Sequence, residues 1–297
     1  MLQKIREHLA LILIGLLPLH ALIVTAGTKH LAGYGSAPLL ALAVWKEALL
    51  GVLFILAALE WCLSKREEKM ASLKIDRFDY FVILLLILSA AVTVFTHQDW
   101  KLYAVGFKYD FVPLIAFLIL RRCEWSKWFR QNVLNVILAI GGLVALYGLA
   151  TLFLPAAFFR VLGYSDLHSL YLPDAPLAAF QQVGGSSIRR IQSTLSGPNQ
   201  LGLWLLLPWS LGVVTLSSAW RSKKQLPVWI TYLLLIGAAI IFTFSRTAWI
   251  AAASIVIVFI VLNLPWKRAI RQLVRLFGVA LMALIVLAVV KPETVLR

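Results

Sequence analysis

The sequence predicts an all-α, polytopic transmembrane helical bundle of about nine spans, with its N-terminus in the cytoplasm and its C-terminus outside. Three observations lead there. Of the 297 residues, 61% are hydrophobic and 14% charged, with a mean hydropathy of +0.88, whereas soluble domains run about 45–50% apolar and about 25% charged. The apolar residues gather into runs long enough to cross a hydrocarbon core of about 30 Å. The basic residues, finally, are crowded into alternate connections between those runs. A soluble globular domain is excluded, and a lipid bilayer is the partner that the composition implies.

In order, the spans are expected at about 9–26, 38–63, 78–96, 104–120, 132–154, 199–218, 228–244, 248–264 and 276–290. They make one transmembrane domain covering 1–297, without heptads, low-complexity stretches or internal repeats. The basic start, apolar run and small residues near Ala26 and Gly27 also fit a signal peptide. Eight further spans read better with an uncleaved anchor. The formal charge of +15 comes from 28 Lys and Arg against 13 Asp and Glu, and 18 of the 28 lie in five alternate connections, among them Lys4 and Arg6, Arg121 and Arg122, and Lys267 and Arg268. By the positive-inside rule these connections are cytoplasmic. The charge is thus a topology signal, and no nucleic-acid partner is needed to explain it. Cys62 and Cys123 fall at cytoplasmic ends of spans, where a structural disulfide is not expected, and no metal-binding spacing or cofactor motif is present.

Ionisable side chains inside a span cost about 2.5–3.5 kcal/mol on insertion scales, so they face a cavity, a partner or the interface. Lys46 and Glu47 lie within the second span, and neighbours on a helix point about 100° apart, so each needs its own partner on another helix. Lys108 and Asp110 at the outer start of the fourth span either snorkel or line an outward cavity. Arg246 sits in the three-residue connection Ser245-Arg246-Thr247 between two short spans. A helix of about 17 residues covers only about 25 Å, so the tip is expected in a protein cleft, its guanidinium seeking a carboxylate or phosphate. The bland alternative is an Arg that snorkels to headgroups.

The long connection, 155–198, interleaves Phe158, Phe159, Tyr164, Tyr171 and Phe180 with Pro155, Pro173 and Pro176, which predicts one or two short interfacial helices in an outer loop. It closes with Gly184-Gly185-Ser186-Ser187, Arg189-Arg190 and Gly197-Pro198-Asn199, which opens the sixth span. Two arginines beside a helix start with free N–H groups form a candidate anion cradle.

Two segments carry a resemblance. Arg190-Ile191-Gln192-Ser193-Thr194-Leu195-Ser196-Gly197-Pro198-Asn199-Gln200-Leu201-Gly202 resembles the "R-x-x-G-T-F-x-x-P-N-x-x-G" stretch of the O-antigen ligase and O-antigen polymerase family, with Ser193 at the usual Gly and Leu195 at the usual Phe. Thr243-Phe244-Ser245-Arg246 resembles that family's "T-x-S-R" hairpin two helices later. The resemblance implies a membrane-embedded glycosyltransferase, multi-pass in the bacterial cytoplasmic (inner) membrane and working in cell-surface polysaccharide assembly. It would transfer a glycan from undecaprenyl pyrophosphate to an acceptor hydroxyl at the outer face, without metal or other cofactor. Its partners would be the lipid-pyrophosphate-linked donor, a polysaccharide or lipid-linked acceptor and the bilayer. Carried over residue by residue, Arg190 and Arg246 become the catalytic pyrophosphate clamp. Arg189, Lys108, Asn199 and Ser245 join them as donor-binding candidates.

The family also carries a later outer loop with a histidine thought to be the general base. His8, His20, His30, His97 and His168 do not match it, so the chain is expected to be the N-terminal part of a longer protein and, as it stands, to lack the base. Two other classes compete: a secondary transporter using Lys46, Glu47, Lys108 and Asp110, and a flippase for lipid-linked glycans. The absence of internal symmetry speaks against the first, and the gathering of unusual arginines on the outer side against the second.

Overall fold

The computed structural model describes residues 1–65, 74–96, 99–165, 177–183, 188–223 and 225–265, then 267, 269–272, 274, 275 and 278. It is mostly helical, at 77%, with almost no sheet. Among the described residues five helices are long and apolar enough to cross a membrane: Leu2–Ala32, Arg77–Phe95, Lys127–Ala150, Pro198–Trp220 and Arg246–Asn263, with Leu226–Phe242 a shorter apolar helix. Large apolar side chains such as Ile55, Leu84, Ile87, Phe95, Leu143, Leu234, Ile250 and Leu262 are exposed. So much outward apolar surface suits lipid and not water. The chain is a membrane protein of apolar helices.

Within the one domain read from the sequence there are two compact units: Met1–Leu17 with Pro38–Val136, and Pro18–Ala37 with Ile137–Arg297. The first unit holds α1 (Leu2–Leu16), α3 (Leu40–Ala43), α4 (Trp45–Leu63), α5 (Arg77–Phe95), α6 (Trp100–Asp110), α7 (Val112–Leu120) and the start of α8 (Lys127–Ala150). Its core is built on Ala10, Leu53 and Phe129.

Charges in this unit are buried only with partners. Arg6, fully buried, pairs with Glu60 at 3.0 Å, donates to the Glu124 carbonyl at 2.7 Å and lies 4.3 Å over the Trp125 ring. The Glu7 carboxylate accepts from the Ser126 backbone N–H and hydroxyl, each at 2.7 Å. Asp76 and Asp79 form a reciprocal capping box at the start of α5. Asp79 also takes Arg121 and Arg122, each at 2.7 Å, and Asp76 takes Arg121 at 2.9 Å.

Three of the expected spans are interrupted. The first runs from Leu2 to Ala32, but Pro18 lies in a 3₁₀ turn, Leu17–Leu19, ahead of α2 (His20–Ala32). The second divides at Val44, so Lys46 and Glu47 begin α4, where a carboxylate complements the helix dipole. Glu47 does find a partner on another helix, Lys108, at 2.8 Å. The fourth expected span, 104–120, is not a single helix: α6 and α7 meet at Phe111, because Pro113 has no N–H for the carbonyl of Tyr109. The ninth, about 276–290, lies almost entirely outside the described residues.

In the second unit, α2 and the rest of α8 join α9 (Ala156–Val161), α10 (Pro198–Ser222), α11 (Leu226–Phe242) and α12 (Arg246–Asn263). The core comprises Val144, Ala145, Ile191, Leu201, Leu205, Ile236, Ala239, Ile240, Ala248 and Ala252. Small residues let the helices touch. A Cβ on Gly141 would meet Pro208 at 2.5 Å, one on Gly202 would meet Ala248 at 2.7 Å, and one on Gly212 would meet Leu233 at 2.8 Å. Among its described residues the long connection forms one short helix, α9. Its later part pairs as β1 (Gln181–Gln182) and β2 (Arg189–Arg190), antiparallel, with Gln181 opposite Arg190 and Gln182 opposite Arg189.

Asp79→Ala takes one carboxylate from Arg122 and one of two from Arg121, and removes half of the capping box. It is expected to destabilise the protein, seen as a lower thermal midpoint after purification in detergent. The hydrogen bond from Arg121, helped by the Asp79 N–H, holds the Asp76 carboxyl well below the usual carboxylate range against the cost of desolvation. Its contribution is therefore complete above the unfolded value of about 3.9, declines as the pH falls below it, and is gone once the pH has dropped through the depressed folded value. The midpoint of Asp76→Asn should accordingly vary less with pH below about 4 than that of the parent.

Candidate functional site

The candidate site is built where α11 ends and α12 begins. A helix C-terminus leaves carbonyls without intrahelical partners, and here an irregular strap, 190–195, supplies them. Ile191 N–H donates to the Phe242 carbonyl at 3.1 Å, and Arg190 Nε donates to the Thr243 carbonyl at 2.9 Å. A cation at this end also complements the helix dipole. The second prong of the guanidinium, Nη2, donates to Asn199 Oδ1 at 2.7 Å. Two bonds on different elements fix the plane of Arg190. Burial lowers its pKa, yet an arginine stays charged at neutral pH.

Beyond Arg190 the strap is buried: Ile191, Gln192, Ser193 and Thr194 are each 4% exposed or less. Its polar groups find partners on neighbouring segments. Ser193 Oγ donates to the Val144 carbonyl at 2.6 Å, and Gln192 Nε2 to the Ala178 carbonyl at 2.6 Å. The proline break in the first helix leaves the Pro18 carbonyl and the Leu22 N–H unbonded to each other, and Thr194 takes both. Its hydroxyl donates to Pro18 at 2.8 Å and its carbonyl accepts from Leu22 at 3.2 Å. Ser193 adopts φ +55°, the left-handed region that favours glycine. It occupies the position at which the resembled pattern has Gly.

The strap leads into α10, which opens at Pro198 as the sequence predicts, with Gly197 as its N-cap. Gly202, one turn on, is the close-approach point to the other segment, since a Cβ there would lie 3.3 Å from Thr243 Oγ1 and 3.4 Å from the Ser245 Cβ. That segment is a tight corner. Thr243 Oγ1 donates to the Ile240 carbonyl at 2.6 Å and accepts from Ser245 N–H at 3.2 Å, while Phe244 takes φ +50°. Thr243 and Ser245 are buried, and Ser245 is the N-cap of α12.

Of the sequence-derived site residues, Arg190 and Asn199 are hydrogen-bonded to each other, and Ser245 and Arg246 follow in the corner that Arg190 holds at Thr243. Arg246 starts α12 and is exposed, not enclosed in a cleft as the short spans suggest. Among the described residues it has no hydrogen bond or ion pair. The corner is tight enough to bury Thr243 and Ser245 and to turn the next side chain outward. Arg189, one residue before the clamp, lies with its guanidinium 4.7 Å from the centroid of the Phe180 ring, itself packed with Phe159 and Tyr164. Lys108 belongs to the first unit, its ammonium paired with Glu47. Gly184–Ser187 of the proposed cradle, and His97 and His168, lie outside the described residues. Thr194 and Gln181 were not singled out from the sequence. Thr194 sits at the Thr of the resembled pattern, which was its only signal, and Gln181 becomes visible only through the strand register.

No family model, curated protein or solved structure matches the chain.

The left-handed backbone at Ser193 costs about 1–2 kcal/mol, and the hydroxyl bond to Val144 returns about 1 kcal/mol. Ser193→Gly is expected to change stability by less than about 1 kcal/mol, since strain and bond vanish together. Ser193→Val loses the bond and adds a branched side chain at positive φ, so a loss of about 3 kcal/mol is expected. Thermal midpoints in detergent would show the ordering, and equal midpoints for the two variants would refute it.

Proposed function

We propose that this chain belongs to a membrane-embedded glycosyltransferase resembling the O-antigen ligases and polymerases. It transfers a glycan from undecaprenyl pyrophosphate to an acceptor hydroxyl at the outer face of the bacterial cytoplasmic membrane. One observation carries the reading: two segments some fifty residues apart, each resembling a family motif, are hydrogen-bonded to each other. Arg190 and Ile191 of the first grip Thr243 and Phe242 at the second. Several positions of the first pattern also have a structural task. Arg190 closes α11, Ser193 takes the glycine conformation, Thr194 bridges the Pro18 break, Pro198 opens α10, Asn199 orients Arg190, and Gly202 admits the Thr243–Ala248 corner.

The chemistry follows from charge. When the glycosidic bond to a pyrophosphate breaks, negative charge grows on the leaving oxygens. A guanidinium already fixed in place stabilises that charge without reorganising at the moment of reaction. Arg190 supplies the fixed group. Arg246, at the first position of α12 beside free helical N–H groups, supplies a second cation and the positive end of a helix dipole. Phosphate geometry matches two-pronged donation from each. The neighbouring N–H groups at the start of α10 add to the same field.

Arg246→Ala is the clean test, because that side chain has no hydrogen bond or ion pair among the described residues. Measured in the full-length protein, transfer from a lipid-pyrophosphate donor should fall by about 10²–10³-fold while membrane insertion and thermal midpoint are unchanged. Arg190→Ala should abolish transfer and also destabilise, and Arg190→Lys should not rescue, as a lysine cannot hold Thr243 and Asn199 together. Undiminished transfer in both alanine variants would overturn the clamp.

A further inference from the structure

We infer that the carboxamides of Gln181 and Gln200, which reach over Gly197 beside Arg190, form a subsite for a neutral, hydroxyl-rich ring: the sugar attached to the phosphate that the arginines hold. The inference rests on the donor chemistry proposed above and adds to it the group that reads the glycan.

The strand register puts Gln181 directly opposite Arg190. Residues opposite each other in an antiparallel pair share a face, with Cβ atoms about 4.5–5.5 Å apart. Arg190 is tied on its other side to Asn199, whose neighbour Gln200 occupies the same first turn of α10. Two amides therefore flank the fixed guanidinium. They converge on one spot: a Cβ placed on Gly197 would lie 2.5 Å from Gln200 Oε1 and 3.5 Å from Gln181 Nε2. The backbone does not require glycine there, since its φ of −174° is ordinary extended chain. The missing side chain instead leaves a floor on which the two amides rest.

Neither amide has a hydrogen-bond partner among the described residues, and both side chains are reachable, Gln181 half-buried and Gln200 exposed. Each offers two donors and a carbonyl acceptor. Such groups suit hydroxyls, ring oxygens and acetamido substituents. They do little for a phosphate, which is served by the charged donors next to them. The division of labour is spatial, with charge at Arg190 and Arg246 and neutral two-way hydrogen bonding at the amides.

The test measures binding to the full chain in nanodiscs, using farnesyl pyrophosphate bare or carrying glucose, galactose or N-acetylglucosamine. At least one sugar-bearing probe should bind the parent about tenfold more tightly than the bare one, the value of one or two added hydrogen bonds. In the Gln181→Ala, Gln200→Ala double variant that advantage should shrink to within about twofold, the bare probe binding as before. Gly197→Ala keeps every functional side chain, fits the backbone and displaces the Gln200 amide, so it should lose the advantage too. No gain from any sugar in the parent, or a gain that survives in the double variant, overturns the subsite while leaving the arginine clamp standing. Bare probe that binds parent and Arg246→Ala equally, or not at all, sinks the clamp and the subsite with it.

Discussion

The second unit depends on the pair of hydrogen bonds from Arg190 and Ile191 to the last carbonyls of α11. An irregular strap among apolar helices is tolerable only if its own polar groups, and those of the helix ends it covers, are all satisfied. Both conditions are met by the same bonds. The strap closes the end of α11, and the Pro18 break and the Val144 carbonyl of α8 receive the strap. Each such group left buried and unpaired would cost about 1–3 kcal/mol. The strap thus cannot shift by a residue without orphaning several groups at once, and that fixes Arg190 to the Thr243–Arg246 corner.

The first unit follows a different logic. There the basic residues that mark topology are also structural. The positive-inside rule counts Lys and Arg largely regardless of neighbouring acids, but Arg6, Arg121 and Arg122 are each held by a carboxylate. The acids concerned, Glu60, Asp76 and Asp79, sit at helix ends, where they cap or pair. Removing one takes a counter-charge from an arginine that is buried or half-buried, which is costly for ionic groups in low dielectric.

How much of this was legible in the sequence depended on the length scale of the signal. Hydropathy over about twenty residues located α5, α8, α10 and α12, and Pro198 marked the start of α10 to the residue. Averaging over that window also hid the interruptions at Pro18 and Phe111, although Pro18 and Pro113 stood in the text. The break at Val44 carries no local mark at all. The site was legible through residue identity. Arg190 and Asn199 are hydrogen-bonded, and Ser245 and Arg246 lie in the corner that Arg190 holds at Thr243, whereas the partner of Lys108, Glu47, lay in another span and could be named only from the structure. The glycine position of the resembled pattern signalled a left-handed residue, and Ser193 adopts that conformation despite its side chain. Gln181 was invisible because a two-residue strand has no periodicity to read.

The two arginines at the corner are not equivalent, and the difference bears on how the corner can work. Arg190 spends Nε and Nη2 on Thr243 and Asn199, so what it offers a ligand is the remainder of the guanidinium in a fixed plane. Arg246 spends nothing on the protein among the described residues and faces outward. A preorganised charge lowers the cost of forming the transition state. An uncommitted one pays conformational entropy when it closes on a ligand, about 2 kcal/mol for a long basic side chain. With the fixed arginine at the start of the buried strap and the uncommitted one at an exposed helix start, the proposed lipid-linked donor would meet a surface already set at Arg190 and a second cation free to close on it. The rigidity of the strap, imposed by backbone hydrogen bonding, is therefore also the source of the orientation that the proposed chemistry requires.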